Sequence, residues 1–130
     1  MGYGLPCAIG AKAADKNKQV IDISGDGSLQ MSIQEFATIV QNGLAVKVLL
    51  LNNSKLGMVR EVQAKQYEKR YCATCLDGNP DFVKLAGAYG IKAKRIESPK
   101  DVSKGLREMM EHDGPFILEC IIDKDEDTLI

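Results

Sequence analysis

Two side chains that could bind a hard metal ion follow two of the apolar runs in this sequence. Asp26 comes just after residues 19–24, and Asn53 comes just after residues 46–52. Carboxylate and amide oxygens suit Mg²⁺ or Ca²⁺ and suit softer metals poorly. Two such ligands leave an octahedral ion open to water and to phosphate oxygens. The pair therefore indicates a divalent cation that carries a diphosphate-bearing ligand.

Gly25 and Gly27, on either side of Asp26, agree with this interpretation. We expect them to give the turn free backbone angles and to let a phosphate approach the backbone amides. Taken alone, Gly-Asp-Gly is more often an ordinary strand-to-helix turn, and Asn-Asn-Ser at 52–54 is more often a loop, so the combination is the specific signal. A dinucleotide fingerprint needs a third glycine and a P-loop needs Gly-Lys-Ser/Thr, and the sequence has neither.

The predicted elements alternate and bring these two ligands together. Strands are predicted at 19–24, 46–52, 92–97 and 116–123, and helices at 5–15, 32–42, 57–67, 81–89 and 100–112. Nearly continuous apolar strands predict an α/β fold with a doubly wound, mostly parallel sheet and helices on both faces. One helical crossover and one strand account for the 27 positions from Asp26 to Asn53, which places both residues at the same sheet edge.

Length and charge exclude several classes of function. The 130 residues allow one domain with a sizeable core, and the net charge of -1 provides no basic field for nucleic acid. No apolar stretch is long enough to span a membrane, and the first residues lack the pattern of a signal peptide. We therefore expect no nucleic-acid or membrane partner, and a cytoplasmic or organelle-matrix location.

The four cysteines predict reduced thiols rather than a metal site. Only Cys72 and Cys75 have the spacing of a redox or zinc half-site. Cys7, Cys120 and the single histidine, His112, do not complete a zinc ligand set.

Longer matches point to a family that this sequence resembles. Gly-Asp-Gly followed at this interval by Asn-Asn resembles the diphosphate-anchoring motif of thiamine diphosphate enzymes. Over nearly the whole chain the sequence is similar to the C-terminal part of the acetolactate synthase large (catalytic) subunit, in the segments MGYGLPCAIGA (1–11), GDGSLQM (25–31), LGMVR (56–60), YEKRY (67–71) and NPDF (79–82). The resemblance implies that residues 1–130 form a C-terminal thiamine diphosphate-binding domain, incomplete at its N-terminal side.

The resemblance implies a role for each of several individual residues. Asp26 and Asn53 would bind Mg²⁺ through their side chains, and Lys55 would bind it through its backbone carbonyl. The cofactor pocket would also be lined by Gly25, Gly27, Ser28, Gly57 and Met58. Met1 falls where the family has a methionine that props the cofactor in its bent, reactive shape, although an initiator methionine is an equally good interpretation.

The implied chemistry is the decarboxylation of pyruvate and its addition to a second 2-keto acid, as in branched-chain amino acid biosynthesis. The implied partners are the remaining domains of the catalytic subunit, further copies in a homodimer or tetramer, and a regulatory small subunit. FAD, which the family also binds, would lie mainly outside these residues, as would the glutamate that activates the cofactor. We therefore expect no catalytic residue in this chain and no turnover from it alone.

Two alternatives stay open. Val62 stands where many relatives carry a tryptophan beside the substrate channel, which favours a related thiamine diphosphate carboligase or decarboxylase acting on another 2-keto acid. The second alternative is a non-catalytic α/β interaction module, against which the retained Asp26 and Asn53 argue.

Overall fold

The computed structural model describes residues 1–124, in which helices and strands alternate. The strands are β1 (Val20–Gly25), β2 (Val46–Asn52), β3 (Lys92–Ile96) and β4 (Phe116–Ile121). The helices are α1 (Gly4–Ala14), α2 (Asp26–Gln30), α3 (Phe36–Gln41), α4 (Gly57–Gln66), α5 (Phe82–Ala88) and α6 (Val102–Glu111), with short 3-10 turns at Ile33–Glu35 and Pro99–Asp101. None of the helices within residues 1–124 has the length and apolar content needed to cross a membrane.

The strands form one four-stranded parallel sheet in the order β1-β2-β4-β3. Gly25 at the end of β1 pairs with Leu51 of β2, and Asn52 at the end of β2 pairs with Ile121 of β4. The carboxyl ends of these three strands therefore lie along one edge, where ligands of open α/β sheets gather.

Helices cover both faces of this sheet. On one face, α1, α2, α3 and α5 bury their apolar side chains against residues that include Val48 and Leu50 of β2. On the other face, Met109 of α6 packs against Phe116 and Leu118 of β4. This arrangement confirms the predicted α/β fold with helices on both sides of a parallel sheet.

The region after β1 differs from the prediction of one helix over 32–42. Helix α2 instead starts at Asp26, directly after the strand, and α3 starts at Phe36 after a 3-10 turn. Leu29 and Phe36 are 1% and 0% exposed, and both enter the same core, so the chain bends between them. Strand β2 has the predicted bounds, whereas β3 and β4 end at Ile96 and Ile121, earlier than predicted.

Candidate functional site

A cavity of about 340 Å³ opens at the carboxyl edge of β1 and β2. The elements around it are the end of β1 with the start of α2, and the segment from β2 into α4. All the residues that the sequence indicated for the cofactor and the cation lie around this one cavity: Met1, Gly25, Asp26, Gly27, Ser28, Asn53, Lys55, Gly57 and Met58. The fold therefore gathers two separate motifs into one site.

Asp26 contributes the buried negative charge of the cavity. It is the first residue of α2 and is 1% exposed. Its Oδ2 accepts a hydrogen bond of 2.6 Å from Nδ2 of Asn79, while Oδ1 accepts none from residues 1–124. A buried carboxylate is costly unless its oxygens are paired or bind a metal, so the uncommitted oxygen suits a cation.

Asparagine side chains build the turn that follows β2. Oδ1 of Asn52 accepts a hydrogen bond from the amide of Ser54, and Oδ1 of Asn53 accepts one from the amide of Lys55, each at 3.0 Å. These bonds hold Ser54 at a φ of 53°, in the left-handed region. An antiparallel bridge from Lys55 to Cys75 then fixes the Lys55 backbone beside Asn53.

Gly25 and Gly27 have different roles, and neither is the predicted one of free backbone angles. The positive-φ glycines are Gly2, Gly43 and Gly90, and Gly25 has an ordinary extended φ of -79° and ψ of 158°. A Cβ atom at Gly25 would meet nothing closer than the carbonyl oxygen of Leu51 at 4.0 Å, so this glycine keeps the cavity floor open. A Cβ atom at Gly27 would instead stand 2.6 Å from Cδ2 of Leu56, so this glycine allows the Leu56 side chain to pack closely against α2.

The first residues of the chain also reach the cavity. The amide of Gly2 donates to Oγ of Ser28 at 2.9 Å, which ties this end of the chain to the start of α2. Met1 lines the cavity, and its Cε lies 3.6 Å from the position of a Cβ at Gly27. Met1 is thus placed beside the glycine motif rather than away from it.

Helix α4 forms the outer wall and separates Val62 from the cavity. Met58 and Val59 line the cavity and are 71% and 41% exposed. Val62 lies one turn further along α4 and lines a second, more open depression of about 630 Å³, together with Val59, Gln63, Tyr67 and Arg70. The predicted substrate-channel residue is therefore adjacent to the cavity through Val59 but is not part of its wall.

Comparison with known families agrees with this geometry. The family model described as "Thiamine pyrophosphate enzyme, C-terminal TPP binding domain" matches residues 1–120. The chain belongs to this family. As a thiamine pyrophosphate-binding domain, it places Asp26 and Asn53 at the carboxyl edge of its parallel sheet, where the cavity opens.

Similar proteins are much longer than this domain. Acetolactate synthase of Arthrospira platensis is 48% identical over 128 residues, which cover 98% of this chain and 22% of that protein. The acetolactate synthase isozyme 2 large subunit of Escherichia coli (strain K12) is 44% identical over 128 residues, covering 98% and 23%. The mitochondrial acetolactate synthase catalytic subunit of Aspergillus candidus is 46% identical over 124 residues, covering 95% and 18%. The chain spans about a fifth of the length of these relatives.

A solved structure shares the fold. The thiamine diphosphate-dependent 4-hydroxybenzoylformate decarboxylase of Rhodococcus jostii RHA1 matches with a TM-score of 0.89 at 28% sequence identity. The match covers 98% of this chain and 24% of that chain.

The side chains around the cavity fit a magnesium diphosphate better than a free metal ion. Among residues 1–124 there is no group of three or more His, Cys, Asp or Glu that could hold a metal. Asp26, Asn53 and the carbonyl of Lys55 are hard oxygen ligands, and such a partial set relies on water and substrate phosphates to complete an octahedron. The open floor at Gly25 leaves room for those phosphates.

The sequence did not indicate the apolar part of the wall or the polar residue behind it. Ile23, Leu51, Val59 and Ile122 line the cavity beside the predicted residues. Asn79 donates a hydrogen bond to Asp26 from the segment NPDF (79–82), which the sequence indicated only as a match to the family and as lying next to the start of the helix predicted at 81–89. The alternation of side chains along the strand around Ile23 could have predicted the apolar wall. No local pattern predicted that Asn79 would contact Asp26.

Proposed function

We propose that this chain is the diphosphate- and Mg²⁺-binding part of a longer thiamine diphosphate-dependent acetolactate synthase subunit. The observation that carries this proposal is the cavity of a thiamine pyrophosphate-binding domain in which Asp26, Asn53 and Lys55 meet. Identity of 44–48% with acetolactate synthases over nearly the whole chain supports the specific reaction. The full-length subunit, meaning the complete polypeptide that contains this domain, would convert two 2-keto acids into an acetohydroxy acid and CO₂.

The residues of this chain would bind and orient the cofactor. Thiamine diphosphate, when bound, supplies the electron sink for decarboxylation. Side-chain oxygens of Asp26 and Asn53 and the carbonyl of Lys55 would hold Mg²⁺ against the diphosphate. Gly25 leaves space for the phosphates, and the apolar side chains of Ile23 and Met58 line the cavity wall.

The cavity holds no spare acid or base, which supports inactivity of the isolated domain. Among the residues that line it, the ionisable side chains are Asp26 and Lys55. Asp26 is the proposed cation ligand, and Nζ of Lys55 donates to the carbonyl of Lys124 at 2.8 Å. Proton transfer on the cofactor would therefore depend on a group outside this domain, for which the family resemblance implies a glutamate, and FAD would bind mainly outside this domain.

Exposed apolar side chains support further partners. Tyr3, Ile23 and Met58, at the cavity and beside it, are 76%, 66% and 71% exposed. Monomeric proteins rarely leave such groups together in water. The remaining domains of the subunit, further copies in a homodimer or tetramer, and a regulatory small subunit are the proposed partners. The proposed location is the cytoplasm, or an organelle matrix as for the mitochondrial relative.

A related decarboxylase is the second candidate, because the solved structure with the same fold is a 4-hydroxybenzoylformate decarboxylase. One assay distinguishes the two. The purified full-length subunit is incubated either with pyruvate or with 4-hydroxybenzoylformate, in the presence of thiamine diphosphate and Mg²⁺, and acetolactate, aldehyde and CO₂ are measured. Acetolactate formed from pyruvate only when the cofactor and Mg²⁺ are both added supports the proposal, whereas an aldehyde as the main product from either keto acid supports the decarboxylase.

The polypeptide of residues 1–130 serves as the control in the same assay. It is expected to form no acetolactate even with excess cofactor and Mg²⁺. Clear production of acetolactate by this polypeptide would overturn the claim that the activating group lies outside it.

A further inference from the structure

Asn79 joins three parts of the chain that meet behind the cavity. It lies between α4 and α5, and its Nδ2 donates to Oδ2 of Asp26 at 2.6 Å and to Oδ1 of Asn52 at 3.3 Å. Its Oδ1 accepts a hydrogen bond of 2.6 Å from Nε2 of Gln30. Asn79 is not among the residues that line the cavity, so a ligand there would touch Asp26 without touching Asn79.

Glu119 sets the direction of the amide groups in this network. It is 1% exposed on β4, and its carboxylate can only accept hydrogen bonds. Oε1 of Glu119 accepts from Nδ2 of Asn52 at 2.8 Å, so Oδ1 of Asn52 is directed to Asn79. The Nδ2 group of Asn79 must then face Asn52 and Asp26. Each amide therefore has one orientation that satisfies all its partners.

Arg95 anchors both ends of this arrangement. Its Nε donates to Oε2 of Glu119 at 2.7 Å, and a terminal nitrogen donates to Oδ1 of Asp81 at 2.9 Å. Asp81 also caps α5, accepting from the amides of Val83 and Lys84. Because Asp81 follows Asn79 by two positions, the ion pair that neutralises Glu119 also holds the segment that carries Asn79.

We propose that Asn79 is a positioning residue for the cation bound at Asp26, with Asn52 and Glu119 setting the orientation of its amide. The inference rests on the proposed function, because it requires Mg²⁺ at Asp26. Asn79 occupies Oδ2 and so fixes the rotation of the carboxylate, which presents Oδ1 to the ion. Hydrogen bonds to the outer side of a ligating carboxylate orient the ligand and tune metal affinity.

The test compares Asn79→Ala with the unmodified full-length subunit by calorimetric titration of thiamine diphosphate at a series of Mg²⁺ concentrations. The Mg²⁺ concentration for half-maximal cofactor binding should rise about tenfold, the lower end of what such outer hydrogen bonds contribute to metal affinity. Cofactor affinity at saturating Mg²⁺ should stay nearly unchanged, because Asn79 does not touch the cavity. A purely structural defect would instead weaken cofactor binding at every Mg²⁺ concentration.

Two further variants complete the test. Asp77→Ala is the matched control, because Asp77 lies in the same segment, is 74% exposed and, among residues 1–124, pairs with the exposed Lys124 at 3.3 Å. This variant should leave the Mg²⁺ midpoint unchanged. Gln30→Ala replaces Asn79→Ala if the latter does not fold, because the Gln30 side chain donates its hydrogen bond to Asn79 and not to the Asp26 carboxylate. We expect it to raise the midpoint by a smaller factor, about threefold, since the Asn79–Asp26 bond is retained.

The outcomes separate this inference from the proposed function. An unchanged Mg²⁺ midpoint in folded Asn79→Ala, or in Gln30→Ala if that variant is used, overturns the inference and leaves the proposed function intact. Failure of the unmodified full-length subunit to bind thiamine diphosphate in a Mg²⁺-dependent manner overturns both.

Discussion

Gly27 lies so close to Leu56 that a Cβ atom at Gly27 would stand 2.6 Å from Cδ2 of Leu56. The same atom would stand 3.0 Å from Cδ1 of Leu76. Leu56 directly follows Lys55, and its amide donates to the carbonyl of Thr74 at 2.8 Å. The absence of a side chain at Gly27 therefore allows the start of α2, the segment before α4 and residues 74–76 to pack together beside the cavity.

The neighbouring glycines should respond differently to the same substitution. Gly27→Ala forces only the ends of the Leu56 and Leu76 side chains to shift and should lower the free energy of unfolding by about 1 kcal/mol, the lower end of what overpacking costs. Gly25→Ala meets nothing within 4.0 Å other than the Leu51 carbonyl and should leave stability nearly unchanged. Urea unfolding of the 1–130 polypeptide, followed by circular dichroism, measures both.

Cofactor binding should also distinguish the role of Gly25 from that of Gly27. Gly25→Ala places a methyl group into the cavity floor and should weaken thiamine diphosphate binding by the full-length subunit without destabilising the domain. Equal loss of stability in both variants, or full cofactor affinity in Gly25→Ala, would contradict the different roles assigned to the two glycines.

Two ion pairs of equal length on β3 should differ in their contribution to stability. Nε of Arg95 lies 2.7 Å from Glu119, which is 1% exposed, and Nζ of Lys94 lies 2.7 Å from Glu108, which is 35% exposed. The hydrogen bond to Glu119 holds the pKa of Arg95 above its usual range. Arg95→Leu leaves the buried Glu119 carboxylate without its cation and should lower the free energy of unfolding by about 2 kcal/mol. This value is smaller than for an ion pair with both side chains buried, because Arg95 is partly exposed to solvent.

Lys94→Leu is the matched control and should lower stability by no more than about 0.5 kcal/mol, as for other exposed pairs. The double variant Arg95→Leu with Glu119→Gln should recover part of the loss, because it removes the buried charge together with its partner and keeps an amide oxygen that can accept from Asn52. If urea unfolding showed equal losses of stability in Arg95→Leu and Lys94→Leu, burial of Glu119 would not strengthen its ion pair, which contradicts this prediction.

Asp22 should make the stability of the domain depend on pH. Burial raises the pKa of this carboxyl above its ordinary value of 3.8, and a hydrogen bond from Ser24 opposes the shift only in part. Because the pKa of Asp22 is higher in the folded than in the unfolded protein, protonated Asp22 stabilises the folded state below pH 3.8. This stabilisation is lost as the pH rises through the pKa of Asp22 in the folded protein. Asp22→Asn should therefore increase stability at neutral pH.

The gain from Asp22→Asn should disappear at about pH 3, where both the folded and the unfolded protein carry a neutral Asp22. Thermal unfolding at the two pH values measures it. Ser24→Ala, which removes the hydrogen bond but leaves the buried carboxyl, should show the opposite sign at neutral pH. A stability difference for Asp22→Asn that is independent of pH would contradict the role given to burial.

Residues at the ends of the strands were predictable from the sequence because topology determines them. The run Val46–Asn52 is apolar and buried, so its bounds as β2 could be predicted to the residue. Once β1 and β2 are parallel neighbours, Asp26 and Asn53 must follow them at one edge. The same reasoning required no knowledge of side-chain packing.

Contacts made across the fold were not predictable in the same way. The hydrogen bond from Asn79 to Asp26 spans 53 positions in the sequence. Asn-Pro-Asp is also explained locally as the start of a helix, and Asp81 does cap α5, so the sequence provided no reason to expect a distant contact. The break between α2 and α3 depends on the burial of Leu29 and Phe36 in one core. The apolar periodicity of residues 32–42 gives no information about that shared burial, because Leu29 lies outside this range. Tertiary packing decides both features.

The most direct test of the cation site compares Asp26→Ala and Asn53→Ala in the full-length subunit by titrating thiamine diphosphate at fixed Mg²⁺. Asp26 brings a formal negative charge to the ion, whereas Asn53 brings only a carbonyl dipole, and hard divalent ions respond strongly to ligand charge. Asp26→Ala should weaken cofactor binding more than Asn53→Ala, by roughly tenfold or more, because metal and diphosphate are lost together. Cofactor binding by Asp26→Ala that is as tight as in the unmodified subunit would contradict the assignment of Asp26 and Asn53 as the Mg²⁺ ligands.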